Sequence, residues 1–126
     1  MTIKESAEMY LETILVLSKK GSVRSIDIAK AMGFSRPSVS VTIHNLESED
    51  YIKVDENGLI ELRPKGAEIA NTIYERHTVL SELFEKIGVN PTTAVEDACR
   101  IEHYISPETF DKVKELVEKL EEHNLY

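Results

Sequence analysis

The chain has 126 residues, 41% of them hydrophobic, and a formal net charge of −8, enough for one or two small domains with a core. Its single cysteine excludes an internal disulfide framework, and no run of about 18 apolar residues exists that could form a transmembrane helix. The start, Met1-Thr2-Ile3-Lys4-Glu5-Ser6, is polar and lacks the apolar core of a signal peptide, so a cytoplasmic protein without membrane contact is expected.

The first helical pattern covers residues 3–19, with Ala7, Tyr10, Leu11, Ile14 and Leu17 at helical spacing, and ends at Lys19-Lys20-Gly21. Met9 and Glu12 stand three residues apart on another face of it, a soft thioether beside a hard carboxylate oxygen. Ser25 is expected to cap a short second helix running to Met32. Gly33 permits a sharp turn. Ser35 as N-cap and Pro37 in the first turn open a third helix that runs to about Asp50. Val39, Ile43 and Leu46 recur at helical spacing and should face inward. Pro37, Val41, His44 and Ser48 then face outward. Two short strands are predicted near 51–54 and 59–62, joined by Asn57-Gly58, a strong hairpin signal. Helix, turn, helix and hairpin in this order read as a winged helix-turn-helix DNA-binding domain over residues 1–66.

A recognition helix places its N-terminal residues against base edges. Ser35, Ser38 and Ser40 can donate to phosphates or bases, Arg36 can pair with a phosphate or guanine, and Pro37 and Val41 can touch a thymine methyl. His44 and Lys53 are weaker phosphate candidates. The wing, Asp55-Glu56-Asn57-Gly58, is acidic and offers little attraction to DNA. Residues 1–66 nevertheless hold nine Lys and Arg against ten Asp and Glu, whereas residues 67–126 hold six against 13. The excess acid lies in the second half, so the near-neutral first half can still turn cations toward phosphates.

A long helix is predicted from about Pro64 to Ile87, stopped by Gly88, with Ile69, Ile73, Leu80, Leu83, Phe84 and Ile87 on its apolar side. Asn90-Pro91 opens another helix to about Ile105, and Ser106-Pro107 a last one carrying Phe110, Val113, Leu116, Val117 and Leu120. The fold class is mainly α, with residues 67–126 an all-helical dimerisation and metal-binding domain. Its apolar faces exceed what one chain can cover, so a homodimer is expected.

Cys99, Glu102 and His103 fall in this second half. The stretch reads as helical, so they occupy positions i, i+3 and i+4 on one face. Thiolate, carboxylate and imidazole together suit a borderline-soft divalent ion better than calcium or magnesium. If the first helix docks nearby, Met9 joins the set, with Glu12 as a further ligand or an outer partner. His77, on the long helix, can contribute to a second site. His123 near the last helix end suits a mild dipole interaction.

With both halves in view the chain resembles the diphtheria toxin repressor and manganese transport regulator family of metal-dependent transcriptional repressors. The resemblance covers essentially the whole chain. It is carried by Glu8-Met9-Tyr10-Leu11, by Ser35-Arg36-Pro37-Ser38-Val39-Ser40, by Arg76-His77 and by Ala98-Cys99-Arg100-Ile101-Glu102-His103. It implies a homodimer with two winged domains, a shared helical dimerisation domain and a divalent metal as corepressor. Met9, Cys99, Glu102 and His103 match the primary site of the iron-responsive branch. Manganese-selective relatives usually carry Asp in place of Met9 and Glu in place of Cys99, whereas Glu12 matches an acidic ligand of the manganese branch. His77 matches an ancillary-site ligand. Its acidic partner four residues on is replaced by Ser81, with Glu82 one place out of register, and an ancillary His falls on Val95. The chain ends at Tyr126, which implies a short form without the SH3-like domain of longer members. Val41 replaces a glutamine common in iron-responsive relatives, which implies a different base preference.

The expected function is a transcriptional repressor of metal-homeostasis genes that binds double-stranded DNA at a palindromic operator with Fe²⁺ as corepressor. Mn²⁺ is the alternative ion, and Co²⁺, Ni²⁺ or Zn²⁺ can substitute in vitro because affinity order alone favours them. A winged-helix regulator answering a non-metal ligand is the other reading. An enzyme is not expected. Three residues before His44, His77, His103 and His123 stand Val41, Tyr74, Arg100 and Leu120, so the Glu-x-x-His pattern of helical di-iron sites is missing.

Overall fold

A computed structural model of the chain describes residues 3–123, with the side chains of residues 4–122; the interaction expected of His123 falls outside them. In chain order the elements are α1 (Ile3–Ser18), α2 (Ser25–Met32), α3 (Arg36–Ser48), β1 (Ile52–Val54), β2 (Ile60–Leu62), α4 (Pro64–Lys86), α5 (Pro91–Ile101) and α6 (Pro107–His123). They form two units, Met1–Thr72 and Ile73–Tyr126, so the division falls within α4. The sequence places its domain boundary earlier in that helix. Among the described residues no helix is long and apolar enough to cross a membrane.

In the first unit, the helical stripe of α1 buries Tyr10, Leu11 and Ile14. They join Ile28 and Ala29 of α2, Val39, Ile43 and Leu46 of α3, and Ile52 and Ile60 of the hairpin in one hydrophobic core. The start of α3 follows from its sequence: the Ser35 hydroxyl accepts from the Ser38 amide at 3.3 Å, and Pro37 sits in the first turn, where it needs no amide. At its end Asp50 adopts a left-handed φ of 66°, while the Tyr51 and Asp50 amides donate back to the Leu46 and Glu47 carbonyls. That closure ends the helix two residues before the predicted limit and turns the chain into β1. The strands pair antiparallel with Lys53 opposite Glu61, and Val54 opposite Ile60.

The start of α2 differs from expectation. Ser25 is the first helical residue, and Arg24 is the N-cap. The Asp27 carboxylate accepts from the Arg24 amide at 2.9 Å. A charged acceptor three residues into the helix closes this end more strongly than a serine hydroxyl would.

The second unit buries Ile73 and Leu80 of α4, Ala94 and Ala98 of α5, and Phe110 and Val117 of α6. The Asn90 side chain caps α5 by accepting from the Thr92 amide. This helix stops at Ile101 rather than Ile105, and Glu102 and His103 lie in the turn that follows. Two causes are visible. Pro107 disfavours helical backbone at Ser106, and Arg76 Nη1 donates to the carbonyls of Glu102 and Ile105 at 3.2 and 3.1 Å, giving them a partner other than a continued helix. Ile87, Val95, Ile101, Tyr104 and Leu116 remain exposed in this unit.

Gly66, in the first turn of α4, is fixed by space. A Cβ there would collide with the Tyr51 carbonyl, which is backbone, and would crowd Leu11. We expect Gly66→Ala to lower unfolding free energy by about 1–3 kcal/mol, the usual cost of overpacking, measured by urea denaturation. An unchanged midpoint would mean that the β1 entry can shift freely.

Candidate metal centre

Glu102 is the only charged residue counted as buried among those described, with 1% of its surface exposed. A carboxylate out of water needs charged or hydrogen-bonding partners, and it has one on each oxygen. His77 Nδ1, from α4, lies 2.8 Å from Oε2, and His103 Nε2 lies 3.5 Å from Oε1. Cys99, one helical turn earlier on α5, places its sulfur 3.7 Å from the same His77 Nδ1. Cys99 itself is exposed, so the group has one wet side and one dry side.

The donor atoms of His77, Cys99 and Glu102 all lie within 4.8 Å of one another. An ion with bonds of about 2.0–2.3 Å to nitrogen, oxygen and sulfur holds its ligands at spacings up to about twice that length. The imidazole, thiol and carboxylate therefore fit a divalent transition ion in both chemistry and spacing. The sequence expects Cys99, Glu102 and His103 to converge from one helical face. The geometry is different: because α5 ends at Ile101, His103 swings to the far oxygen of Glu102, and His77 takes its place beside Cys99. His77, for which the sequence offers a second site, stands here with Cys99 and Glu102. Ser81, one turn further along α4, has a buried hydroxyl without a described partner. Met9 and Glu12 are half-buried on α1 in the first unit.

Sequence reasoning gave Arg76 no role. Its Nη1 bonds hold the turn from Glu102 to Ile105, and its guanidinium carbon lies 5.7 Å above the Phe110 ring. A basic residue beside a candidate ligand histidine on a helix is the available signal, but the carbonyls it meets are 26 and 29 residues away in sequence.

On the first unit, Ser35, Arg36, Pro37, Ser38, Ser40 and Val41 are all exposed along the start of α3. Val41 is 61% exposed, an aliphatic side chain turned away from the buried Val39, Ile43 and Leu46. The Ser35 hydroxyl is already engaged, accepting from the Ser38 amide and donating to the Ser38 hydroxyl at 2.9 Å, so its first task is structural. Arg36, Ser40 and Val41 present the least committed chemistry.

Hydrogen bonding to Cys99 and to Glu102 raises the His77 pKa from 6.5 to about 10 against the opposing effect of burial. The imidazolium is favoured in the fold, so protonation of His77 stabilises it. That contribution is complete below the unfolded value of about 6.5 and is lost as pH rises toward 10. A divalent ion bound here would compete for the same nitrogen. In metal-free protein, the stability difference between the wild type and His77→Gln should be largest near pH 6 and shrink toward pH 10. Urea denaturation at several pH values measures it, and a pH-independent difference would contradict the imidazolium assignment.

The N-terminal DNA binding domain profile of the iron dependent repressors matches residues 2–59, and their metal binding and dimerisation domain profile matches residues 63–124. The HTH-type transcriptional regulator MntR of Geobacillus thermodenitrificans is 32% identical over 93% of this chain and 84% of its own length. The solved structure of the manganese regulator SloR superposes with a TM-score of 0.77 at 26% identity, over 94% of this chain and 55% of that one. T. acidophilum IdeR gives 0.70 at 28% identity, over 91% and 53%.

Proposed function

The chain belongs to the iron dependent repressor family of metal-dependent, DNA-binding transcriptional regulators, which are not enzymes; on that premise we propose that it represses metal-homeostasis genes in the cytoplasm as a homodimer, with Fe²⁺ as corepressor. The observation that carries the metal reading is the convergence of Cys99 Sγ, His77 Nδ1 and the Glu102 carboxylate. The thiol of Cys99, with the thioether of Met9, is softer than an all-carboxylate set and favours Fe²⁺ over Mn²⁺. The proposed ligands are Met9, Cys99, Glu102, His103 and His77, with Glu12 as a further carboxylate. Bound metal would link the first helix to the second unit and stabilise the arrangement that binds DNA. Population shift of this kind needs the ion to favour that arrangement over the others.

A second reading has specific support. One structural neighbour is the manganese regulator SloR, and Glu12 adds a hard oxygen. Mn²⁺ is therefore an alternative corepressor of equal standing. Co²⁺, Ni²⁺ and Zn²⁺ are expected to activate in vitro in either case.

The exposed apolar residues of the second unit, Ile87, Val95, Ile101, Tyr104 and Leu116, support the dimer. Two symmetric recognition helices then read a palindromic operator in successive major grooves. Arg36, Ser38 and Ser40 contact phosphates or bases, while Pro37 and Val41 meet thymine methyls. Ser35 orients the helix.

Anaerobic titration of Fe²⁺ and Mn²⁺ against an operator selected from random duplexes tests this. Activation by Fe²⁺ at the lower concentration supports the thiol-based reading, and preference for Mn²⁺ supports the alternative. Cys99→Ala should weaken metal-dependent DNA binding by more than the roughly 10–100-fold typical of losing an outer partner of a metal ligand. A wild-type response from that variant would remove the sulfur from the mechanism, and indifference to metal and chelator alike would favour a non-metal effector.

A further inference from the structure

The wing offers DNA no cation at its tip. Asp55 and Glu56 are acidic, and Lys53 on β1 stands opposite Glu61 on β2. The Asp55 carboxylate is turned into the wing, where it accepts from the Asn57 and Leu59 amides at 2.8 and 2.9 Å.

A cation reaches that tip from elsewhere in the chain. Arg24, the N-cap of α2, is exposed and donates through Nη1 to the Asn57 carbonyl. Its own amide is held by the Asp27 carboxylate, and the Val23 carbonyl before it accepts from the Ile60 amide of β2 at 2.8 Å. The backbone at Arg24 is thus tied to both α2 and the hairpin. At the wing turn Gly58 has a φ of 79°, and a Cβ there would lie in ordinary contact with Arg24 Nη1, at 3.4 Å, which places the guanidinium against the turn itself. The next residue, Ser25, lines a cavity of about 340 Å³ with Ile26 and with Arg36, Pro37 and Ser40 of the recognition helix. Arg24 therefore stands at the junction of wing and helix-turn-helix, beside the end of α3 assigned to DNA.

We propose that Arg24 is a DNA-backbone-binding residue, its guanidinium fixed at the wing turn by the Asn57 carbonyl so that it meets the phosphate which the acidic wing itself would repel. A guanidinium carries five N–H donors, and one described bond leaves others for a phosphate, which it can engage through two parallel hydrogen bonds. The first helix of a helix-turn-helix crosses the DNA backbone rather than the bases, so the contact positions the protein and carries no sequence information. This inference rests on the DNA-binding reading above.

The test is the salt dependence of duplex binding by the full chain with Mn²⁺ held constant, measured by fluorescence anisotropy against potassium chloride on the selected operator and on a mixed-sequence duplex. Each phosphate contact contributes about 0.9 to the slope of log affinity against log salt. Arg24→Gln keeps a donor for the Asn57 carbonyl and removes the charge. It should lower that slope by about 0.9 per protomer and weaken both duplexes by a similar factor, while Arg24→Lys should retain most of the slope. Arg24→Gln with a wild-type slope would overturn the proposal, even if affinity fell, because Arg24 would then act only as a brace for the wing. Thermal unfolding of each variant checks that the fold persists, and should Arg24→Gln fail to fold, a wild-type slope from Arg24→Ser would overturn the proposal in its place. Failure of the wild-type chain to bind any duplex would instead bring down the DNA-binding reading and this inference with it.

Discussion

The second unit is organised around a buried carboxylate. Taking the Glu102 charge out of water costs several kcal/mol unless partners replace the lost hydration, and the fold supplies them from two sides. His77 reaches one oxygen from α4 and His103 the other from within the turn. That turn exists because α5 stops early, and Arg76 holds the carbonyls released by the stop. The early stop of α5 and the pairing of the buried charge together place His77 beside the thiol and His103 on the far oxygen. They also bring the donor atoms of His77, Cys99 and Glu102 within 4.8 Å of one another.

The first unit solves a different problem, that of presenting a readable surface with almost no net charge. Its recognition helix buries one narrow stripe, Val39, Ile43 and Leu46, and so exposes Val41 between them. The hairpin is secured to both helices of the motif. Arg24 of α2 holds the wing turn, and the Glu47 carboxylate of α3 accepts from the Val54 amide at 2.9 Å. A wing tied at both points moves with the recognition helix, so its charge pattern matters at a defined place beside DNA. Most of the acidic excess belongs to residues 67–126, which hold 13 Asp and Glu against six Lys and Arg.

Local patterns made much of this legible. Ser35 followed by Pro37 marks the start of α3, Asn57-Gly58 marks the hairpin, and the apolar spacing in α1 and α3 picks out buried residues, whereas of the stripe in α6 Phe110 and Val117 are buried and Leu116 is exposed. Boundaries failed where a distant residue intervened. Nothing near Ile101 announces the end of α5 except Pro107, six positions on, and the decisive partner, Arg76, comes from another helix. Ser25 looked like a cap because serine usually is one, but Asp27 provides a charged alternative two residues later. In the candidate site, Cys99 and Glu102 were recognisable from donor chemistry and spacing. The substitution of His77 for His103 beside the thiol was not, since helical periodicity assumed a helix that had already ended.

Alone, the sequence determined the order of the elements, the winged motif, the surplus of acid in the second half, and which residues are candidates for metal and DNA. These follow from periodicity, turn chemistry and side-chain type, all of which act within a few residues. Only the tertiary structure decided that His77, Cys99 and Glu102 share one spot, that His103 occupies the other side of the carboxylate, that Arg76 secures the turn and that Arg24 reaches the wing. Each of these depends on side chains separated by about 20 or more residues or on where a helix stops, and such meetings are fixed by burial and by the pairing of charges removed from water, which spacing along the chain does not encode.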